Sequence, residues 1–377
     1  MPCLNEADTL ATCIDKARAA FAKCGCAGEI IVADNGSEDG CPEIARSAGA
    51  RVVRVEEKGY GNALMAGIAA ARGRFVIMGD ADDSYDFREI PQFVAALEDG
   101  YDLVQGCRLP SGGGRVLPGA MPFLHRRLGN PLLSLLARMM FKLPVTDIYC
   151  GMRGFSRTLY EGLNPRCTGM EFATEMIIRA SMQGARIGEV PITLHPDGRT
   201  SHGPHLRTFR DGWRTLRFFL LYSPRWLFLF PGILLLGVGA LGYGLALPGV
   251  RLLGAQLGAH TLLVSSLSLL MGFQFLLFAI VSKTVAEGIG LLPPDPRLKR
   301  FFRVATLERG ILLGGIALAG GLVLIGGAAL EWQRGGFGDL DYASTLRRVV
   351  PGVTLAALGI QTILSGFFVS MLGMARR

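Results

Sequence analysis

Three carboxylates, Asp80, Asp82 and Asp83, follow the apolar run at residues 75–78. Four consecutive apolar residues before a glycine predict a buried strand that ends in a turn. Negative charges gathered at a strand end are costly unless a cation neutralises them. Because oxygen ligands favour a hard ion shared with substrate phosphates, the turn predicts a Mg²⁺ or Mn²⁺ site. A solvated acidic turn is the alternative, and Asp-x-Asp by itself favours it.

Alternating strands and helices place this turn at one edge of a predicted sheet. The alternation predicts an α/β fold with a doubly wound, mostly parallel sheet. Ligands of such sheets bind beyond the carboxyl ends of the strands, where Asp34, Asp80 and Arg108 fall. We therefore expect these three side chains to converge on one crevice. The predicted helices cover residues 7–23, 41–48, 62–71 and 87–98, and the strands cover 30–33, 51–55, 75–80 and 103–106.

The composition changes sharply near Tyr222. The chain has 377 residues, 50% of them hydrophobic, and long apolar stretches occur only after this point. Each stretch reaches the roughly 20 residues that a helix needs to cross a bilayer. We therefore expect an all-α transmembrane domain of four helices over residues 226–377, with spans at about 226–247, 260–281, 311–330 and 349–372.

Lys and Arg residues predict the orientation, because they collect in cytoplasmic loops. The loop after the second span is rich in them, whereas the loop after the first span holds only Arg251. Arg334, Arg347 and Arg348 in the last loop count against this assignment. All eight cysteines precede the spans and form no Cys-x-x-Cys pair, as expected of reduced thiols. We expect a multi-pass protein of the cell (inner) membrane, with its catalytic domain and both termini in the cytoplasm.

A basic amphipathic segment at residues 203–225 precedes the first span. Much of the net charge of +8 lies between Arg186 and Arg225, which suits an anionic membrane surface better than nucleic acid. The pattern predicts a helix that lies in the membrane interface, and a helix packed on the soluble domain is the alternative. The apolar stripe is Leu206, Phe209, Trp213, Leu216 and Leu220, and the adjoining basic stripe is Arg207, Arg210, Arg214 and Arg217.

A series of motifs at 2–6 (PCLNE), 34–37 (DNGS), 58–61 (KGYG) and 80–82 (DAD) resembles the nucleotide-sugar motifs of family 2 glycosyltransferases. The motif at 147–153 (DIYCGMR) and Arg199 resemble one branch, the polyprenyl-phosphate transferases similar to dolichyl-phosphate mannose or glucose synthases. The resemblance implies a GT-A-type catalytic domain, which we place at residues 1–202. Several motifs in the right order make it specific, although each alone is weak.

The resemblance also implies roles for individual residues. Asp80 and Asp82 would hold the metal and, with Asp147 and Glu175, form the catalytic set. A helix-face position is the alternative for Glu175, and a local turn is the alternative for Asp34. The nucleotide-sugar set is Pro2, Glu6, Asp34, Gly59, Asp80 and Ala81. The phosphate and acceptor set is Arg108, Arg126, Arg127 and Arg199, with Arg126 and Arg127 not distinguished.

The expected activity is metal-dependent, inverting transfer of a hexose from UDP-glucose or GDP-mannose to a polyprenyl phosphate. An acceptor phosphate is already ionised near neutral pH, so no strong general base is required. One alternative is a processive polysaccharide synthase, but Tyr222 stands where its Gln-x-x-Arg-Trp motif has Gln. Another is a catalytically silent scaffold or a transporter. Almost no charge lies within the spans to line a transport pathway, which argues against the transporter.

The start of the chain departs from the family pattern. The motif that begins at Pro2 normally follows a strand, and the first strand of a doubly wound sheet is central. Only Met1 precedes Pro2 in this sequence. Because neighbouring strands would lose ladder partners, at roughly 1–3 kcal/mol for each buried unsatisfied group, we expect an apolar β-branched segment upstream.

Overall fold

The computed structural model describes residues 1–199, 208–252 and 255–374. It contains two compact units, Met1–Phe219 and Leu220–Arg377, which we call the catalytic unit and the membrane unit. Leu206 and Arg207 of the predicted interface segment lie outside the described residues.

The catalytic unit is built on strands that are mostly parallel. One sheet has the order β1-β2-β3, the second has the order β4-β7-β5-β8, and β6 pairs with β9. Among the described strands of this unit, only β7 runs antiparallel to its neighbours, β4 and β5. The strands are β1 (Pro2–Cys3), β2 (Ile31–Asp34), β3 (Arg51–Arg54), β4 (Phe75–Met78), β5 (Leu103–Cys107), β6 (Arg115–Val116), β7 (Arg153–Ser156), β8 (Ile187–Pro191) and β9 (Thr193–Leu194).

Amphipathic helices cover these sheets. In α1 the buried residues Leu10, Cys13, Ile14 and Ala17 recur at helical spacing, and Gly25 ends the helix with φ of 63°. The helices are α1 (Leu10–Cys24), α2 (Cys41–Ser47), α3 (Tyr60–Ala70), α4 (Ile90–Glu98), α5 (Asn130–Phe141), α6 (Arg157–Leu163), α7 (Phe172–Met182) and α8 (Thr208–Tyr222). A 3₁₀ turn (Phe87–Glu89) precedes α4, and a π-helical turn (His125–Gly129) precedes α5.

The first strand is short. Pro2 and Cys3 pair in parallel with Ala33 and Asp34 of β2, and the Met1 carbonyl accepts the Ala33 N–H at 2.8 Å. Below them a cavity of about 490 Å³ is lined by β2, by β4 and by residues of α1, α3 and α4. The expected upstream segment stays a prediction.

The membrane unit is helical apart from a small hairpin, β10 (Arg251–Leu252) with β11 (Ala255–Gln256). Within the described ranges, four helical segments are long and apolar enough to cross a membrane: Arg225–Ala246, Ala259–Gly288, Leu307–Arg334 and Tyr342–Met374. A π-helical turn (Arg225–Leu229) opens the first segment. The helices are α9 (Phe230–Ala246), α10 (Ala259–Gly288), α11 (Pro296–Val304), α12 (Leu307–Arg334) and α13 (Tyr342–Met374). The predicted fold class, an α/β domain followed by an all-α membrane domain, is confirmed.

Helix α8 packs on the catalytic unit, as in the alternative that the sequence left open, and its place in a membrane interface stays a prediction. Phe219 is fully buried and packs edge-to-face on Phe141 of α5, with ring centroids 5.7 Å apart. Trp213 is 61% exposed, and Arg214 and Arg217 are exposed as well. The helix therefore packs on the catalytic unit through Phe219 and presents Trp213 with basic residues outward.

Candidate active site

The acidic turn after β4 is fixed by contacts on both sides of Asp80. The Tyr60 hydroxyl donates to Asp80 Oδ1 at 2.8 Å. On the other side the turn meets Gly151, where a Cβ atom would lie only 2.7 Å from Asp80 Oδ2. Burial raises the pKa of Asp80 to about 6; the Asp82 carboxylate acts in the same direction, and the Tyr60 hydrogen bond opposes both. Asp80 is thus held in place, and its protonated form is favoured more than that of a free aspartate.

Asp82 is anchored by its own turn and faces a cation. Its Oδ1 accepts from the Ser84 hydroxyl at 2.6 Å and from the Ser84 N–H at 3.1 Å. Its Oδ2 lies 3.4 Å from a guanidinium nitrogen of Arg199. Asp83 turns away and pairs with Lys16 at 2.6 Å. Ser84 therefore supports Asp82, as expected of a group behind a metal ligand, whereas Asp83 anchors α1.

Arg199 joins two motifs that are far apart in the sequence. Its guanidinium lies 3.1 Å from Glu6 Oε1 and also pairs with Asp197 and Asp82. The Arg199 side chain is only 9% exposed. The predicted nucleotide residue Glu6, the predicted metal ligand Asp82 and the predicted phosphate residue Arg199 are therefore one cluster. Ala81 lies at its base, where its carbonyl accepts the Thr9 hydroxyl at 2.7 Å.

The turn after β2 is organised around Asp34 and Asn35. Asp34 is 2% exposed, and its Oδ1 accepts the Ser37 N–H at 3.1 Å, which is the local turn that the sequence left as an alternative. Asn35 Oδ1 accepts the Gly59 N–H at 2.8 Å, and its amide donates to the Glu57 carbonyl at 2.8 Å. Asn35 thus connects the end of β2 to the loop that begins α3, and Pro2 lies beside this connection in β1.

The glycines before α3 admit another part of the chain's own backbone. A Cβ atom on Gly59 would lie 2.5 Å from the Thr168 carbonyl oxygen, and one on Gly61 would lie 2.4 Å from the Cys167 carbonyl oxygen. The Gly61 N–H donates to the Thr168 carbonyl at 2.8 Å. The space beside these glycines is therefore occupied by the backbone of residues 167–168, and binding of a nucleotide by Gly59 stays a prediction.

Glu175 holds that same loop from beneath. It is fully buried, and its Oε2 accepts the N–H groups of Arg166 and Cys167 at 2.8 and 2.7 Å. Its Oε1 pairs with Arg179 at 2.7 Å. The structure does not bring Glu175 to the cluster around Arg199, and its geometry is that of a positioning group.

Asp147 and Arg108 form a buried bidentate pair. The Arg108 guanidinium donates to Asp147 Oδ2 at 2.7 Å and to Oδ1 at 2.9 Å. Asp147 is fully buried, and the Arg108 side chain is 8% exposed. Glu189 fixes the same loop by accepting the N–H groups of Thr146 and Asp147, both at 2.9 Å. In this conformation the guanidinium fork predicted to bind phosphate is occupied by Asp147.

Arg126 and Arg127 lie on an exposed helical surface. Arg127 is exposed, with its guanidinium carbon 6.0 Å from the ring centre of Phe123, whereas Arg126 is half-buried. We call the apolar residues of this surface the α5 stripe. They recur at steps of three or four residues along the π-helical turn and α5, and their exposed fractions run from 48% to 57%: Leu124, Leu128, Leu132, Leu135 and Met139. Such a row of exposed apolar side chains makes this surface a candidate interaction site.

The acidic turn offers two carboxylates to a cation, Asp80 and Asp82. Within the described ranges, no group of three or more His, Cys, Asp and Glu side chains is suited to hold a metal ion. The guanidinium beside Asp82 nevertheless shows that this position accepts a positive charge. Two carboxylates fit a Mg²⁺ or Mn²⁺ ion that completes its ligand shell with phosphate and water.

Three positioning residues were missed in the sequence: Tyr60 on Asp80, Asn35 on Gly59, and Glu189 on the loop at 146–147. Tyr60 lies in the motif at 58–61 and Asn35 in the motif at 34–37. Their positions next to predicted site residues could therefore have indicated a supporting role. Glu189 lies more than 40 residues from the loop that it holds, and no local pattern marks it.

Comparison with known proteins identifies the family. Residues 1–163 match the model described as "Glycosyl transferase family 2", and residues 280–373 match "Glycosyltransferase family 2 C-terminal transmembrane region". The low-salt glycan biosynthesis hexosyltransferase Agl6 of Haloferax volcanii is 40% identical over 375 residues, which are 99% of this chain and 88% of that protein. The chain belongs to glycosyltransferase family 2. It is therefore a membrane glycosyltransferase, as the sequence predicts.

Two further matches concern the catalytic unit. A dolichyl-phosphate hexose transferase of Haloferax volcanii is 38% identical over 163 residues, 43% of this chain and 68% of that protein. The crystal structure of glucosyl-3-phosphoglycerate synthase from Mycobacterium tuberculosis with phosphoglyceric acid matches this chain with a TM-score of 0.45. The two sequences are 25% identical, and the match covers 58% of this chain and 75% of that one.

Proposed function

We propose that this glycosyltransferase moves a hexose from a nucleoside diphosphate sugar, UDP-glucose or GDP-mannose, to a polyprenyl phosphate at the cytoplasmic face of the cell membrane. The α5 stripe carries the acceptor assignment, because it sets lipid-seeking side chains beside Arg126 in the catalytic unit. The similarity to a dolichyl-phosphate hexose transferase supports the same acceptor class.

The donor would bind across the cluster around Arg199. Glu6 and Asp34 offer acceptor oxygens to ribose hydroxyls and base N–H groups. Asp80 and Asp82 would hold a Mg²⁺ or Mn²⁺ ion, which supplies positive charge to the diphosphate when bound. Arg199 now neutralises Glu6 and Asp82, and its planar fork also suits two phosphate oxygens. On donor binding we expect Arg199 to exchange a carboxylate partner for phosphate.

The acceptor would approach along the α5 stripe. Leucine and methionine side chains exposed in a row lie favourably against acyl and prenyl chains, while the flanking arginines remain at the headgroup level. Arg126, half-buried beside the stripe, is the better placed of the two adjacent arginines to hold the acceptor phosphate. Trp213 and the arginines of α8 would contact the same anionic surface.

The reaction is a single displacement with inversion. A phosphate oxygen of the acceptor forms a bond to the anomeric carbon, while the bond from that carbon to the diphosphate breaks and its electron pair leaves with the nucleotide. No proton must be removed from the ionised acceptor. Asp147 and Glu175 are both buried in ion pairs, so we assign them to positioning Arg108 and the loop at 166–168.

Transfer from labelled nucleotide sugars in membranes that contain the full chain tests this function. We expect release of one nucleotide for each acid-labile hexosyl polyprenyl phosphate formed, with a long-chain polyprenyl phosphate as acceptor. A product that grows into a lipid-free polysaccharide would instead identify a processive synthase. No transfer from any donor of the panel, with the protein folded in the membrane, would favour a silent scaffold.

A further inference from the structure

The membrane unit contains a basic helix that the proposed reaction does not use. Helix α11 follows α10 and precedes α12, two of the helices long and apolar enough to span a membrane. Four of its nine residues are cationic, and all four are exposed: Arg297, Lys299, Arg300 and Arg303. We call these side chains the α11 basic face. Such a concentration of charge on one short helix requires a counter-charge in the surroundings.

The opposite side of α11 is packed against the unit. Leu298 is 6% exposed, and Phe301 and Phe302 are half-buried. A Cβ atom placed on Gly373 of α13 would lie 3.2 Å from a ring carbon of Phe302, so this ring fits against the end of α13. The helix is therefore amphipathic and attached to the bundle by its apolar side.

Ion pairs fix the start of α11. Asp295 caps the helix by accepting the Arg297 N–H at 2.8 Å, and its own N–H donates to Glu287 of α10 at 3.2 Å. The Asp295 carboxylate also pairs with Lys283 of α10 and lies 3.8 Å from Arg225. The position of α11 relative to the end of α10 is thus set by contacts that centre on the half-buried Asp295.

The α11 basic face lacks such partners. Within the described ranges, no carboxylate forms an ion pair with any of its four side chains, whereas Lys283 and Arg225 nearby are both paired with Asp295. Self-repulsion among four cations on one face would be relieved by anions from outside the protein. Since a membrane-spanning helix ends close to each end of α11, the nearest surface that carries anions is the lipid headgroup layer.

We propose that the α11 basic face binds the phosphodiester headgroups of anionic phospholipids. Guanidinium groups bind two phosphate oxygens in a planar fork, and an ammonium group binds phosphate as a point charge. The apolar side of the helix keeps the four cations directed away from the bundle, toward the headgroups. The site is independent of hexose transfer and lies entirely within the membrane unit.

Lipid titration of the purified full-length protein in neutral detergent tests the site. Phosphatidylglycerol, phosphatidylcholine and inorganic phosphate are added separately, and the melting temperature and the number of bound lipids by native mass spectrometry are followed. We expect saturable stabilisation by phosphatidylglycerol only, weakened in 0.5 M salt because exposed charges are screened there. Equal effects of phosphatidylglycerol and phosphatidylcholine would overturn the proposal, and equal stabilisation by inorganic phosphate would overturn its lipid assignment.

The decisive variant carries Arg297→Gln, Lys299→Gln, Arg300→Gln and Arg303→Gln. A basic residue near an anionic surface contributes about fivefold in affinity, so we expect the half-saturating phosphatidylglycerol concentration to rise at least ~10-fold. A matched control removes four exposed cations of the catalytic unit, Lys23, Arg54, Arg72 and Arg115, by the same change to Gln and should bind as wild type. Unchanged lipid affinity in the α11 variant, or an equal loss in the control, would overturn the proposal.

A charge-conserving variant separates lipid binding from folding. Arg297→Lys, Arg300→Lys and Arg303→Lys keep the four positive charges and should retain most of the affinity for phosphatidylglycerol. The proposal fails if this variant loses as much affinity as the Gln variant while both keep the wild-type melting temperature without lipid. Positive charge would then not be what binds the headgroup.

Discussion

Two sets of cations, one in each unit of this protein, are placed in opposite ways. In the catalytic unit Arg108, Arg179 and Arg199 are at most 9% exposed, and each lies against a carboxylate. In the membrane unit the α11 basic face is exposed and has no carboxylate partner within the described ranges. A buried charge must find its partner inside the chain, because leaving it unpaired is costly. An exposed charge can instead pair with an anion outside the protein. The buried arginines therefore serve to hold the fold, whereas the α11 basic face is able to bind an external anion.

Glu175→Ala is expected to have the largest effect, because it breaks one of the buried pairs and leaves Arg179 without its main partner. Removing one side of a buried ion pair typically costs 3–5 kcal/mol, so about that loss of unfolding free energy is expected. The matched control is Glu161→Ala, which breaks the exposed pair with Arg157 on α6 and should cost at most ~0.5 kcal/mol. Thermal and chemical unfolding of the detergent-solubilised protein measures both.

The result also separates positioning from catalysis. If Glu175 only positions the loop at 166–168, Glu175→Gln should recover part of the stability and part of the transfer rate together. A Glu175→Gln protein as stable as wild type but inactive would contradict this role and return Glu175 to the catalytic set.

Asp82→Asn is expected to reduce transfer by at least ~100-fold, the scale of losing one strong electrostatic stabiliser of the leaving group. The amide keeps the size of the side chain and removes the charge that faces Arg199 and would hold the metal. Asp83→Asn is the control, since Asp83 pairs with Lys16 and should keep transfer within a few-fold of wild type. Full activity of Asp82→Asn, or of wild type in excess EDTA, would contradict the metal assignment.

Tyr60→Phe removes the hydrogen bond to Asp80 and should have a smaller effect. A hydrogen bond to a charged group contributes roughly 1.5–3 kcal/mol, and from the lower end of this range we expect a loss of about tenfold in transfer. Because the Tyr60 hydrogen bond lowers the pKa of Asp80, its removal should shift the acid limb of the pH–rate profile upward. Tyr160→Phe, whose ring packs on Phe155, is the control. An unshifted acid limb would show that Tyr60 does not set the charge of Asp80.

The sequence was sufficient for the fold class and for the acidic turn because both depend on local patterns. The run before Asp80, the spacing along α1 and the apolar spans each fall within one element. The roles of Asp147 and Glu175 were not accessible in this way. Whether a carboxylate faces a substrate or an arginine depends on residues brought together by the fold, such as Arg108, which is 39 positions from Asp147.

The antiparallel strand β7 was also not predicted. Its four residues include the fully buried Arg153 and Gly154, which do not form an apolar run. Arg153 is tolerated there because its guanidinium donates to the Cys150 and Ala173 carbonyls. A search for strands by hydrophobicity alone misses a strand that contains a buried arginine whose terminal nitrogens donate to backbone carbonyls.

Glu89 is a carboxylate of the catalytic unit that has no ion pair among the described residues, and it predicts the smallest effect. Its Oε1 accepts the Thr193 N–H at 3.2 Å, while its Oε2 is buried without a hydrogen-bond partner. Burial raises the pKa of Glu89 to about 7. A raised pKa means that the protonated form is favoured in the folded state. Its contribution to stability is therefore present below the unfolded value, about 4.5, and is lost as pH rises through 7.

Glu89→Gln keeps the side chain neutral at every pH and should remove this dependence. We expect the melting temperature of the variant, relative to wild type, to rise between pH 5 and pH 8 by a few degrees at most. Glu98→Gln, an exposed change on α4, should show no such trend. A difference that stays constant across this range, or that falls toward high pH, would mean that Glu89 ionises in the folded protein at little cost. The catalytic unit would then tolerate an unpaired charge at that position, and the contrast with α11 would be weaker.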